Sequence, residues 1–219
     1  MNKYDLVIFD LDGTVLNTTE GVLAAVKHTI KHFGFDMPSD EKLETFIGPP
    51  IQDSFAKMYG LSGDILQDIA TVFRNQYKDY DLLKAKPYDG IYELLEEINK
   101  RTMVSAIATY KREDYALTLL KHYRFDKYMN IMHGGDHENK LKKHDIIKIC
   151  IDEAGIDNFD RVVMIGDTVH DAVGAENMGV DFIGVTYGFG FNSQQEIDGV
   201  KSVGFCDKPL DILNIIGEN

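Results

Sequence analysis

The sequence has little cysteine. Cys150 and Cys206 lie far apart and show no metal-ligand spacing, so neither a disulfide framework nor a cysteine-built metal site is expected. Cys150 falls in an apolar helical pattern and reads as core, and a reducing, cytoplasmic setting is expected. Runs of basic residues are also missing. The formal net charge is −13, which excludes a nucleic acid polymer as a partner for the surface at large. No apolar run approaches the length of a membrane span, so no membrane partner is expected. The chain enters an apolar strand at Leu6 with no leader-like segment before it, so no signal peptide is expected. Internal repeats and low-complexity segments are lacking. What remains is a soluble globular composition with a length of 219 residues, enough for one large or two small domains.

The chain is organised around Tyr4-Asp5-Leu6-Val7-Ile8-Phe9-Asp10-Leu11-Asp12-Gly13-Thr14. Leu6 to Phe9 read as a strand buried on both faces. That strand stops on two acids and a glycine. One acid can face a ligand while the chain between them turns and offers a backbone carbonyl, and Gly13 gives the turn its freedom. Two acids this close repel unless a cation lies between them. Oxygen ligands suit a hard divalent ion, so Mg²⁺ is the expected cofactor. A plain acidic, solvated turn is the simpler alternative.

Residues 16–83 read as an insert of roughly four helices, with a break at Ile47-Gly48-Pro49-Pro50-Ile51, where two prolines preclude regular helix. Helical patterns cover residues 52–59 and 64–80. From Pro87-Tyr88-Asp89-Gly90, which is turn chemistry, the pattern alternates. Strands are expected over 103–108, 128–132, 162–165, 182–185 and 202–205. Helices are expected from Ile91 to Ile98 and over 113–122, 145–154, 171–178 and 210–216. The expected fold is α/β: a Rossmann-like parallel sheet with helices on both faces, formed by residues 1–15 and 84–219, plus the inserted helical-bundle cap domain at 16–83. An insert at the carboxyl edge of such a sheet suits a lid that excludes water and selects substrate.

Three apolar strands end in polar residues suited to a shared chemistry. The first ends at Asp10, the second at Thr109 and the fourth at Gly166-Asp167. In a parallel sheet these ends share one edge. Thr109 can donate its hydroxyl to a phosphate oxygen, whereas Lys111 reads as a solvated side chain. Asp167 and Asp171, four apart, would share a side of a helix starting there, and read as cation-binding groups; Asp171 could equally serve the helix dipole. His170 reads as a packing or orienting residue. A phosphoryl site also needs a fixed positive charge, and three lysines, Lys140, Lys142 and Lys143, precede the helix at Asp145.

Asp10-Leu11-Asp12-Gly13-Thr14, then Thr109, then a lysine, then Gly166-Asp167-x-x-x-Asp171, resembles the four motifs of the haloacid dehalogenase superfamily of phosphohydrolases, over nearly the whole chain. The insertion point resembles that of the subclass with a helical cap. Phe46 to Pro50, Ala108 to Lys111, His170-Asp171 and Gly184 to Gly190 resemble the phosphoglycolate phosphatase and 5′-nucleotidase-like branch. The resemblance implies Asp10 as nucleophile and Asp12 as general acid–base, with Mg²⁺ held by Asp10, the Asp12 carbonyl and Asp167, and Asp171 acting directly or through water. Thr109 and a lysine would hold phosphate oxygens; Lys143 matches the family lysine by position and Lys140 is the alternative. The cap loop, with Gly48 and Pro49, would face the leaving group. Arg74 and Tyr77 could face it too, or serve as a surface ion pair and a core ring. Two departures stand out: Asn17-Thr18, where relatives often carry Asp-Ser, and Thr168, where many carry Arg. The implied activity is hydrolysis of a small phosphorylated metabolite, phosphoglycolate-like or a nucleoside monophosphate, by a monomer or homodimer. A phosphomutase of the β-phosphoglucomutase type and a non-enzymatic phospho-acceptor are the alternatives.

Overall fold

The computed structural model describes residues 2–129, 131–136, 140–191 and 194–217. Asn130, inside the strand expected over 128–132, lies outside them. The chain divides into two compact units, one made of the residues up to Asn17 together with those from Pro87 onward, the other spanning Thr18–Lys86.

The first unit begins with β1 (Leu6–Phe9), every residue of which is buried. The chain then turns tightly: the Leu16 amide donates to the Leu11 carbonyl and the Gly13 amide to the Leu16 carbonyl, both at 2.9 Å. The Tyr88 amide donates to the Val15 carbonyl at 3.2 Å. These bonds tie residues 11–16 to the first unit.

The helical unit contains α1 (Thr19–His32), α2 (Asp40–Glu44), α3 (Ile51–Tyr59) and α4 (Ile65–Gln76). Its core is Val26, Ile30, Leu43, Phe46, Ile51, Phe55, Ile69 and Ala70. The helical pattern read over 64–80 is not one α-helix: α4 stops at Gln76 and a wider π-turn covers Tyr77–Asp81. The buried Asp81 accounts for it, because its carboxylate accepts from Gln76 Nε2 at 2.8 Å and pairs with Lys84 at 2.7 Å. Its carbonyl lies so close to Gly21 of α1 that a Cβ there would fall 2.4 Å away.

Past Pro87 the first unit resumes with α5 (Ile91–Lys100), β2 (Val104–Arg112), α6 (Glu113–His122), β3 (Ile131–Gly135), α7 (Lys143–Ala154), β4 (Val162–Gly166), α8 (Val169–Met178), β5 (Asp181–Val185), α9 (Gln194–Asp198), β6 (Gly204–Cys206) and α10 (Ile212–Ile216). The six strands form one sheet in the order β3-β2-β1-β4-β5-β6, all pairs parallel. Leu6 and Ile8 face α7 and α8 in a cluster with Ala106, Ala108, Met164, Ile146, Ile147 and Ala175. The pleat turns Val7 and Phe9 to the opposite face, and α5 packs against β2 outside that cluster.

Two strands depart from expectation. β2 does not close at Ala108 but continues through a register irregularity to Arg112. β3 starts at Ile131 rather than Tyr128, because Tyr128 still closes a 3₁₀ turn by donating its amide to the Phe125 carbonyl. Gly134 and Gly135 let β3 approach its neighbours: a Cβ on either would fall 2.6–2.7 Å from the backbone of Glu113, Lys111 or Tyr110.

Candidate active site

Sheet register builds the site. Phe9 is level with Ile107 on one side and Ile165 on the other. The residues just past this line, Asp10, Thr109 and Asp167, therefore emerge at one edge although far apart in sequence. All three are buried. The Asp10 amide donates to the Ile165 carbonyl at 2.9 Å, so the nucleophile candidate is pinned by the sheet itself.

The carboxylates of Asp10, Asp167 and Asp171 offer oxygens that all lie within 4.8 Å of one another. The Lys143 ammonium stands among them, 2.6 Å from Asp10 Oδ1 and 2.6 Å from Asp171 Oδ1, and is itself 2% exposed. Burial alone would disfavour that ammonium, but the Asp10 and Asp171 charges outweigh it and hold the lysine protonated. With all four groups ionised, the three carboxylates and the Lys143 ammonium carry a formal charge of −2. Burial, with the Asp171 and Asp10 charges, raises the Asp167 carboxyl to about 8. Burial also raises Asp10, partly countered by Lys143. The donor set is all oxygen and compact, and a divalent hard cation would balance its charge; the residues fit Mg²⁺ on that ground.

Asp171 has two roles. α8 begins at Val169, not at Asp171, with Thr168 as its N-cap. Asp171 Oδ2 accepts from the Thr168 amide at 3.0 Å and from its hydroxyl at 2.7 Å, leaving Oδ1 for Lys143. Asp167 therefore precedes the helix rather than sharing its face with Asp171, and the two meet through the turn between them. Thr168, a departure at the level of sequence, acquires a capping role. Likewise α7 starts at Lys143, with Asp145 at its third position accepting from the Lys142 amide at 2.8 Å. Lys143 is thereby fixed at a helix start, and its own amide donates to the Tyr110 hydroxyl at 2.9 Å. Gly174 of α8 makes room for its stem, since a Cβ there would fall 2.6 Å from Lys143 Cγ. Lys140, by contrast, is exposed, and its amide donates to Asp136 Oδ1 at 2.9 Å.

Asp12 is not in the carboxylate cluster. Both its oxygens lie 2.9 Å from the Lys111 ammonium. Lys111 is therefore not solvated as expected: its side chain is only 10% exposed. The continuation of β2 past Thr109 carries it there, and no local sequence signal announces that. The Thr109 hydroxyl accepts from the Lys111 amide at 3.2 Å, which places Thr109 beside the same pair. The loop after β5 is a further part of the site that the sequence reading does not include. Phe189 and Gly190 donate their amides to Asp167 Oδ2 at 2.7 and 3.2 Å, and the Thr14 hydroxyl reaches Asp167 Oδ1 at 3.4 Å. The Gly188-Phe189-Gly190 spacing after an apolar strand is the clue that the sequence offers for it. His170 is exposed and packs edge-on against Tyr110 at 6.0 Å. Gly48 and Pro49 lie on the loop before α3, with Gly48 at φ +100°, and Arg74 is half-buried on α4, all within the helical unit.

Gly13 is required by this geometry. Its φ is +83°, and a Cβ would fall 2.2 Å from Asp167 Oδ2. Gly13→Ala should therefore destabilise the protein by about 2 kcal/mol or more, combining backbone strain with a clash against a buried carboxylate. Denaturant unfolding checks this, and a midpoint equal to wild type would contradict the geometry.

The sequence model of the haloacid dehalogenase-like hydrolases matches residues 7–185. The chain belongs to that family. This haloacid dehalogenase-like hydrolase is 32% identical over 205 residues to a 5′-nucleotidase of Pseudomonas aeruginosa, covering 93% of this chain and 91% of that one. It is 26% identical over 214 residues to pyrophosphatase PpaX of Bacillus mycoides, covering 98% and 97%. A haloacid dehalogenase-like family hydrolase of Streptococcus pneumoniae superposes with a TM-score of 0.88 at 27% identity, covering 97% of this chain and 98% of that one. The chain is an enzyme, a family hydrolase of the phosphatase type. Among the described residues, no helix is long and apolar enough to cross a membrane.

Proposed function

We propose that this hydrolase is a Mg²⁺-dependent phosphatase that cleaves a small phosphomonoester, phosphoglycolate-like or a nucleoside monophosphate, through an aspartyl-phosphate on Asp10. The observation that carries the reading is the buried Asp10 carboxylate, held at 2.6 Å by Lys143 and grouped with Asp167 and Asp171. Asp10, Asp167 and the Asp12 carbonyl would hold the ion, with Asp171 acting directly or through water. Bound there, Mg²⁺ supplies charge neutralisation between an anionic nucleophile and an anionic substrate.

The chain's own groups do the rest. An Asp10 oxygen attacks phosphorus, and the bond from phosphorus to the leaving oxygen breaks. Lys143 fixes the Asp10 carboxylate and Thr109 donates to a phosphate oxygen. Asp12 delivers a proton to the leaving alkoxide, then takes one from the water that hydrolyses the acyl-phosphate; such help is worth roughly 10²–10⁴-fold. Lys111 aims the Asp12 carboxylate for both steps. We assign substrate selection to the helical unit, through Gly48, Pro49 and Arg74. The match to a 5′-nucleotidase supports a nucleoside monophosphate, and the match to a pyrophosphatase adds pyrophosphate to the trial set.

The test is phosphate release from phosphoglycolate, a nucleoside 5′-monophosphate, a sugar phosphate and pyrophosphate. At least one monoester should be turned over with Mg²⁺, the rate should vanish on chelation, and added Mg²⁺ should restore it. Turnover that survives thorough chelation, or none with any monoester, would sink the proposal.

A further inference from the structure

Tyr88 lies in the turn ahead of α5, and its ring packs against Tyr187 at 4.8 Å between centroids. Its backbone is fixed by the bond from its amide to the Val15 carbonyl at 3.2 Å. Tyr187 is fixed in turn, donating its hydroxyl to the Thr14 carbonyl at 2.9 Å. Tyr88 is thus clamped beside the loop that carries Asp12 and Gly13. Its hydroxyl oxygen is shut off from solvent, and no group among the described residues hydrogen-bonds with it. Burial first, then the Asp167 and Asp12 charges, hold the phenol protonated, so its O–H is available to donate.

Those carboxylates are already engaged. Asp167 accepts from the Phe189 and Gly190 amides and from Thr14, and Asp12 accepts from Lys111. A buried donor left without an acceptor costs stability, and phenylalanine would keep the ring contact without that cost. The hydroxyl therefore calls for an acceptor that the described residues do not supply.

We propose that Tyr88 is a positioning residue of the metal centre, donating a hydrogen bond to a water held by the cation at Asp10 and Asp167. The inference rests on the Mg²⁺ reading above. Outer-shell partners of this kind typically change metal affinity by 10- to 100-fold.

Tyr88→Phe tests it without turnover. Mg²⁺ binding by calorimetry should weaken about tenfold, while the metal-free variant should melt at or above the wild-type temperature, since the unpaired hydroxyl is gone. An unchanged Mg²⁺ affinity overturns the proposal. A lowered melting temperature of the metal-free variant overturns it too, because the hydroxyl would then have a protein partner. If wild-type protein binds no Mg²⁺, the metal reading itself falls and takes this inference with it. Binding by wild type with equal binding by the variant removes the inference alone.

Discussion

Asp10→Asn should abolish phosphate release, by at least about 10³-fold, as expected when a covalent nucleophile is removed. The amide keeps the size and planarity of the carboxylate but has no anionic oxygen to attack phosphorus. The fold should survive. Lys143 keeps its second partner, Asp171 Oδ1 at 2.6 Å, and the backbone bond from residue 10 to the Ile165 carbonyl does not involve the side chain. Burial already works against the Asp10 charge, so neutralising it offsets part of the lost ion pair. Phosphate release on the best substrate, measured beside thermal melting, checks both halves. Activity within tenfold of wild type would remove Asp10 from the nucleophile role.

The second large effect concerns the lysines. Lys143→Ala removes the ammonium that bonds both Asp10 and Asp171 and leaves those two buried carboxylates without it. Breaking a buried pair from one side costs about 3–5 kcal/mol, so the metal-free variant should unfold at much lower denaturant. On the proposed mechanism turnover should fall with it, because the charge that steadies the Asp10 carboxylate is gone. Lys143→Met keeps most of the stem volume and should lose as much, which traces the effect to charge rather than to a cavity. Lys140→Ala should stay within about 0.5 kcal/mol of wild type, as exposed substitutions usually do, with nearly unchanged phosphate release. The two substitutions read out which lysine serves the site; equal losses from both would refute the assignment to Lys143.

Much of the site was legible because its parts obey local rules. A continuous apolar strand ending in Asp10-Leu11-Asp12-Gly13, and another ending in Gly166-Asp167, mark the carboxyl edge of a parallel sheet wherever the strands pair. The strand ends of β1, β2 and β4 had to meet once those strands became neighbours, and hydrophobic runs buried on both faces permit little else. The boundaries of α7 and α8 were less legible, because an acid at the third helical position and an acid at the cap look alike in sequence. Only the hydrogen bonds from Lys142 to Asp145 and from Thr168 to Asp171 separate them.

Sequence by itself determined the chemistry of the edge: which residue types gather there, and that they are oxygen donors of the kind a hard cation takes. Tertiary structure alone decided the pairings. Lys111 belongs to Asp12 only because β2 runs on past Thr109. Lys143, rather than Lys140, belongs to Asp10 because one is buried at a helix start and the other stays at the surface. The reason is physical: a lysine's role depends on which charges share its low-dielectric surroundings, and that is a property of packing at long sequence separation, not of the residues beside it in the chain.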